Sequence, residues 1–198
     1  TTHISNLCKS LNYQVYSISK IRKYLDVTAT KSLINSTFTS RLDYCNSLLH
    51  GLDAVHLRPL QMCQNNAAHI ITSTPRRDHI TPVLRDLHWL PVQQRLEYKI
   101  ILLTFKCRVG RGPQYLSDIL SPYIPARPLR SQDRDLLAMP PRARLNHYGG
   151  RAFAHSAPEL WNSLPHELRA LWRSKPVSGD IVEHFKRALK THLFSNAF

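Results

Sequence analysis

Apolar residues recur every three or four positions through most of the first hundred residues, in three successive stripes. The stripes cover residues 4–25, 33–49 and 55–71, and Gly51 follows the second. This period is typical of helices that bury one face, and glycine often stands just beyond a helix end. Because the connections are short, the three helices are predicted to lie antiparallel in a small bundle.

Two more helices are predicted before residue 120. Thr81-Pro82 favours the start of a short helix, with threonine as the cap and proline at the first helical position, and Leu90-Pro91 ends it. A fourth apolar stripe covers residues 96–107 and stops at Gly110, and residues 115–120 form a short helical turn.

The pattern then changes, because six of the 13 prolines lie in residues 113–141. Proline cannot continue a helix or donate to a sheet, so residues 121–156 are predicted to be largely irregular. Short strands at residues 136–139 and 151–155 are predicted as a small β-hairpin.

Residues 157–198 become helical again and end in an amphipathic terminal helix at residues 182–194. The predicted fold class is therefore mainly α. We expect a helical bundle at residues 1–73 and a second region at residues 74–198, whose first part, residues 81–120, is also helical.

The charge of the chain is strongly positive. It has 27 Lys and Arg against 13 Asp and Glu, a formal net charge of +14 and a pI of about 10.1. Residues 58–151 hold 15 of the basic and six of the acidic side chains, and so +9 of the excess. Such an excess favours an anionic membrane surface or a polyanionic partner, whose condensed counterions are released on binding. A generally basic protein without such a partner is the alternative.

Guanidinium groups suit phosphate oxygens, and an irregular segment lets them follow a nucleic-acid backbone. The candidate phosphate contacts are Arg22, Lys23, Arg76, Arg77, Arg85, Arg127, Arg130, Arg134, Arg142, Arg144 and Arg151. For any single member, solvation or a local ion pair is an equal alternative, whereas for the set backbone binding is the better interpretation.

Aromatic side chains raise the question of base stacking. The candidates are Tyr13, Tyr16, Tyr24, Tyr44, Trp89, Tyr123, Tyr148 and Trp161. Tyr44 and Trp161 fall in apolar periodicity and are predicted to be core residues. Trp89 is predicted to wedge the short helix against the bundle.

The residue patterns of catalysis are missing, so no catalytic residue, metal ligand or cofactor is predicted. Asp133-x-Asp135 lies in a Pro-rich segment and is better explained as a solvated acid pair or as partners of nearby arginines. His166-Glu167 lacks the second histidine of a zinc-protease helix. The four cysteines form no close pair, which predicts free, mostly buried thiols in a reducing intracellular compartment. No stretch has the roughly 20 apolar residues of a membrane span, so no membrane partner is expected.

Six blocks of the sequence resemble, in order, the C-terminal part of LINE-type non-LTR retrotransposon polyproteins. They are Ile18-Ser-Lys-Ile-Arg-Lys-Tyr-Leu25, Ser40-Arg-Leu-Asp-Tyr-Cys-Asn-Ser-Leu-Leu49, Asp78-His-Ile-Thr-Pro-Val-Leu84, Leu87-His-Trp-Leu-Pro91, Leu160-Trp-Asn-Ser-Leu-Pro165 and Phe185-Lys-Arg-Ala-Leu-Lys-Thr-His-Leu-Phe194. Together they span nearly the whole chain.

The resemblance implies a reverse-transcriptase thumb at residues 1–73, followed by the C-terminal domain of the family. The polymerase palm, with its aromatic-x-Asp-Asp motif, and the endonuclease would precede this segment, so neither activity carries over. We therefore expect a non-enzymatic piece of a longer polypeptide that binds template–primer, element RNA or target DNA and contacts the palm. The nucleus or a cytoplasmic ribonucleoprotein would be its location. A structural remnant of a decayed element and a protein-interaction module are the alternatives.

Overall fold

The computed structural model describes residues 2–125, 135–140, 152–173 and 180–198. These residues are mainly helical, and no β-sheet forms among them, which confirms the predicted fold class. The chain divides into two compact units. One contains the residues up to Arg95 together with Asn196–Phe198, and the other contains Leu96–Ser195.

The first unit is built on two long helices, α1 (Thr2–Ile21) and α4 (Ala54–Thr72), which pack against each other. Helix α1 buries Ile4, Leu11 and Val15 among others, at the helical spacing of the first apolar stripe. Burial of such a face stabilises the bundle by roughly 1.5–3 kcal/mol for each large apolar side chain. A 3-10 turn at Arg22–Tyr24 ends α1.

Helix α2 (Val27–Ile34) begins at a capped residue, because the Asp26 side chain accepts a hydrogen bond from the Ala29 amide at 2.6 Å. It continues through a π-helical turn at Asn35–Thr39 into α3 (Ser40–Leu42). Another 3-10 turn follows at Asn46–Leu49.

The prediction that the second stripe is one helix to residue 49 is wrong, since the helix ends at Leu42. Two features explain the break. The Asp43 carboxylate is held by Arg95 at 2.8 and 3.0 Å, and Cys45 has a φ of +50°, a left-handed conformation that no helix accepts. Tyr44, predicted to be core, therefore lies outside the apolar face and is 77% exposed.

Helix α5 (Ile80–Asp86) lies in the first unit and packs on α4, so this unit extends beyond residue 73. Its cap is His79, whose Nδ1 accepts from the Thr81 amide at 3.4 Å. The assignment of Thr81 as the cap is wrong. Because the first four amides of a helix lack partners inside it, Pro82 is tolerated within the first turn.

The second unit contains five helices within the described residues, most of them from the C-terminal half of the chain. They are α6 (Val92–Arg108), which starts just before this unit, α7 (Gln114–Ser117), α8 (Phe153–Ser163), α9 (His166–Ala170) and α10 (Ile181–Ala197), whose last two residues are assigned to the first unit. A 3-10 turn at Leu171–Arg173 follows α9.

Three buried aromatic rings join α6, α8 and α10. Phe105 and Phe185 stack with centroids 3.8 Å apart, and Trp161 lies 6.5 and 6.2 Å from them. All three side chains are fully buried, as predicted for Trp161. Such ring pairs contribute about 0.5–1.5 kcal/mol beyond their burial, so this cluster anchors the second unit.

The predicted hairpin of residues 136–139 and 151–155 is wrong. Helix α8 begins at Phe153, and its buried Ala157 and Trp161 follow a helical period. Leu137 instead forms an isolated antiparallel bridge with Pro122. Within the predicted irregular segment, residues 121–125 and 135–140 contain no helix, but residues 153–156 belong to α8, so the prediction of irregular structure is wrong there.

Candidate nucleic-acid interface

The solvent side of α1 carries both basic and aromatic residues. Lys9, Tyr13, Tyr16 and Lys20 recur at steps of four, three and four residues, which places them on one helix face. Lys23 and Tyr24 continue this series in the following 3-10 turn. We call these six residues the α1 outer face. The buried residues Ile4, Leu11, Val15 and Ile18 form the opposite side of the helix.

The rings of this face are open to solvent. Tyr13 is 67%, Tyr16 59% and Tyr24 76% exposed. Two lysines lie against them, since the Lys20 Nζ is 4.8 Å from the Tyr16 ring centre and the Lys23 Nζ is 4.8 Å from that of Tyr24. A cation above an aromatic ring is attracted to it by about 0.5–1 kcal/mol at an exposed site. Each such pair therefore presents a positive charge beside a flat apolar surface.

The α1 outer face has little counter-charge nearby in sequence. Residues 1–25 contain four Lys or Arg and neither Asp nor Glu, and the first acid is the helix cap Asp26. Lysine ammonium groups bind phosphates as point charges, while tyrosine rings stack on bases or pack on sugars. The face thus offers positive charges suited to phosphates together with rings suited to bases or sugars.

Arg22, a predicted phosphate contact, lies elsewhere. Its guanidinium donates to the carbonyl oxygens of Ile70, Ile71 and Leu25 at 2.9, 3.1 and 2.6 Å. The last carbonyls of a helix have no partner within it, so Arg22 caps the C-terminal end of α4 and joins it to α1. We therefore leave Arg22 out of the α1 outer face.

The other predicted phosphate contacts within the described residues lie in three different places. Lys23 belongs to the α1 outer face. Arg76 and Arg77 are exposed in the turn between α4 and α5, and within the described ranges they have no hydrogen-bond or ion-pair partner. Arg85 donates to the Phe198 carbonyl oxygen at 2.8 Å. The remaining predicted arginines lie outside the described residues, as does Tyr148: Arg127, Arg130, Arg134, Arg142, Arg144 and Arg151.

The other aromatic candidates divide between core and surface. Trp89 is buried and lies in the first unit, where the Arg95 guanidinium carbon is 5.8 Å from its ring centre. Tyr123 is exposed in the second unit. Sequence inspection alone weighed Tyr13, Tyr16 and Tyr24 without linking them to the lysines, although the three- and four-residue steps that join them are visible in the sequence.

Of the acid pair Asp133 and Asp135, only Asp135 lies within the described residues. The Asp135 carboxylate is buried and lies 2.8 Å from Arg173 and 3.8 Å from Arg108, so it is a partner of arginines. Neither arginine was among the sequence-based candidates. Burial lowers the pKa of Arg108, Asp135 raises it, and the like charge of Arg173 lowers it.

The described residues contain neither a metal-binding cluster nor a membrane-spanning helix. Across these ranges, no three His, Cys, Asp or Glu side chains gather as metal ligands would. Among the described helices, none is both long and apolar enough to span a bilayer. The chain matches no protein-family model, no curated protein and no solved structure.

Proposed function

We infer that this chain is a non-catalytic nucleic-acid-binding module, the C-terminal part of a non-LTR retrotransposon reverse transcriptase, and that the α1 outer face contacts the phosphate backbone. The observation that carries this inference is an exposed, acid-free helix face that combines three lysines with three tyrosines. The six sequence blocks that resemble the retrotransposon family support it independently.

The physical basis is largely electrostatic. With a formal charge of +14, the chain attracts polyanions from a distance, and each phosphate that a lysine neutralises releases bound counterions. Tyrosine rings add contacts that are tolerant of sequence because every base has a flat face. Binding of this kind positions RNA or DNA without reading its bases, as a thumb that holds a template–primer requires.

Gel retardation of the full chain tests the proposal. We expect single-stranded RNA and a primed RNA–DNA duplex to be retarded at low salt, with binding that fades as salt is added. No retardation at low salt would contradict binding and favour the structural remnant of a decayed element.

A protein-interaction module is the second candidate. Three exposed apolar side chains favour a protein contact, namely Tyr44 and Leu48 between α3 and α4 and Val55 in the first turn of α4. In the retrotransposon context the partner would be the upstream palm. Co-expression with that palm tests this contact. Replacement of Leu48 and Val55 by Ser should abolish co-purification with the palm and leave RNA retardation unchanged.

A further inference from the structure

The second unit contains a cavity of about 370 Å³ near the C-terminal end of α6. Its described lining is of two kinds. Arg108, Asp135 and Arg173 are charged, whereas Leu120 and Tyr123 belong to an apolar and aromatic part. Pockets of a few hundred Å³ with a mostly apolar wall and a few convergent polar groups are typical of sites for small organic ligands.

Among its described lining residues, the cavity has more positive than negative charge. Two guanidiniums share the carboxylate of Asp135, through Arg173 at 2.8 Å and Arg108 at 3.8 Å. The Asp135 side chain is only 1% exposed, while those of Arg173 and Arg108 are 52% and 13% exposed. A ligand in the cavity therefore meets guanidinium groups before it meets the acid, and an anion would balance the excess.

Arg108 has unused hydrogen-bonding capacity. Its guanidinium carbon lies 4.6 and 5.5 Å from the ring centres of Trp172 and Trp161, so two indoles hold it. Within the described part of the chain, its Nε is buried without a hydrogen-bond partner, and its contact with Asp135 is longer than a hydrogen bond. The buried Nε itself is out of reach of a ligand, so an anion would meet Arg108 at the 13% of its side chain that is exposed, beside the half-exposed Arg173.

The apolar part of the lining argues against a simple inorganic anion. Phosphate alone would contact the arginines and leave the Tyr123 ring and the neighbouring Leu120 and Pro122 unused. A planar ring joined to a phosphate uses both parts, because bases stack on tyrosine and on guanidinium planes.

We propose that this cavity binds one nucleoside monophosphate unit, free or within a single strand, with its phosphate on Arg173 and Arg108 and its base against Tyr123. This site rests on the proposed nucleic-acid-binding function, because that function is the reason to choose a nucleotide among ligands that carry a phosphate. Because the cavity lies in the second unit, it is a site separate from the α1 outer face.

Isothermal titration calorimetry of the full chain with AMP, adenosine and inorganic phosphate tests this site. We expect AMP to bind at least about tenfold more tightly than either fragment, since each lacks one kind of contact. Arg173→Gln should weaken AMP binding about tenfold or more, whereas the matched change Arg187→Gln, at an exposed position of α10, should leave it unchanged. Tyr123→Ala should weaken AMP binding and leave phosphate binding as it was.

Several results would overturn the proposal. They are no heat of AMP binding to the wild type, equal affinity for AMP and phosphate, or unchanged AMP affinity in Arg173→Gln with a wild-type circular dichroism spectrum. Replacement of Lys9, Lys20 and Lys23 keeps the two proposals distinguishable. It should weaken RNA retardation and leave AMP binding intact. A wild-type chain that bound AMP but retarded no RNA would reject the interface on α1 and retain this cavity.

Discussion

Replacement of Asp135 by Asn removes the one negative charge that Arg108 and Arg173 share in the described structure. In the wild type the Trp172 indole donates to Asp135 Oδ1 at 3.1 Å, and asparagine keeps a side-chain oxygen for this hydrogen bond. The backbone carbonyl that accepts from the Trp161 indole at 2.7 Å is also kept. Asparagine tolerates the left-handed φ of +55° at this position as aspartate does. The variant therefore tests the charge more than the shape.

The expected destabilisation follows from the burial of each arginine. Breaking a buried ion pair from one side costs about 3–5 kcal/mol, whereas exposed pairs contribute about 0–1 kcal/mol. Because Arg173 is half exposed, its ion pair with Asp135 should contribute an energy near that of exposed pairs. Arg108 is mostly buried, but its distance of 3.8 Å from the carboxylate weakens its pair. We therefore expect Asp135→Asn to lower the free energy of unfolding by about 2–3 kcal/mol. Asp135→Ala should cost about 1–2 kcal/mol more, because Trp172 also loses its acceptor.

Urea unfolding followed by tryptophan fluorescence measures this effect, since Trp161 and Trp172 both contact Asp135. The matched control is Asp118→Asn, an exposed acid of the same unit that bonds the Gln114 side chain and should change stability by less than about 0.5 kcal/mol. If Asp135→Asn unfolded at the same urea concentration as the control, the carboxylate would not neutralise the arginines and the description of this cluster would be wrong.

Three further predictions concern other parts of the molecule. Arg22→Ala should lower the free energy of unfolding by about 1–3 kcal/mol in the same urea assay, because the end of α4 loses its cap. The neighbouring change Lys23→Ala should alter this free energy by less than about 0.5 kcal/mol. Equal effects of the two changes would reject the capping role. Burial and then the adjacent Cys8 thiol raise the pKa of Cys63 to about 12 from an ordinary 9.0, so its stabilising contribution is complete below pH 9 and is lost as pH rises towards 12. Over that window the unfolding free energy of the wild type should fall up to about 1.4 kcal/mol per pH unit more steeply than that of Cys63→Ala, and parallel pH profiles would contradict this pKa. The chain alone should not extend a primed template or cleave DNA with Mg²⁺ or Mn²⁺, and extension above a buffer control would refute the non-catalytic function.

The helices were predictable where one apolar face determines them. The first stripe became α1 and the third became α4, because burial of a periodic face outweighs local preferences. The second stripe failed at Asp43, whose partner Arg95 is 52 residues away and carries no mark of the pairing in the sequence. The misassigned strand before Trp161 failed for a related reason, since a short apolar run does not distinguish a strand from a helix without its tertiary partners.

The sites were less predictable than the helices. Composition indicated a polyanion partner, and the lysine and tyrosine steps of α1 could be recognised from spacing. Arg22 shows the limit, because the same residue type serves as a phosphate contact or as a helix cap depending on which carbonyls lie nearby. The cluster around Asp135 joins residues from positions 108, 135 and 173, and only the fold brings such distant charges together.

The salt dependence of RNA binding tests the central claim most directly. Lys9, Lys20 and Lys23 are replaced together by Gln, and a control variant carries the same three-charge reduction at Lys99, Lys106 and Lys190 of the second unit. Each lost phosphate contact lowers the slope of log K against log salt by about 0.7 on a single strand. The variant of the α1 outer face should therefore lose about 2 from the magnitude of that slope, and the control should lose much less. Equal slopes in the two variants would show that net charge, and not this helix face, holds the nucleic acid.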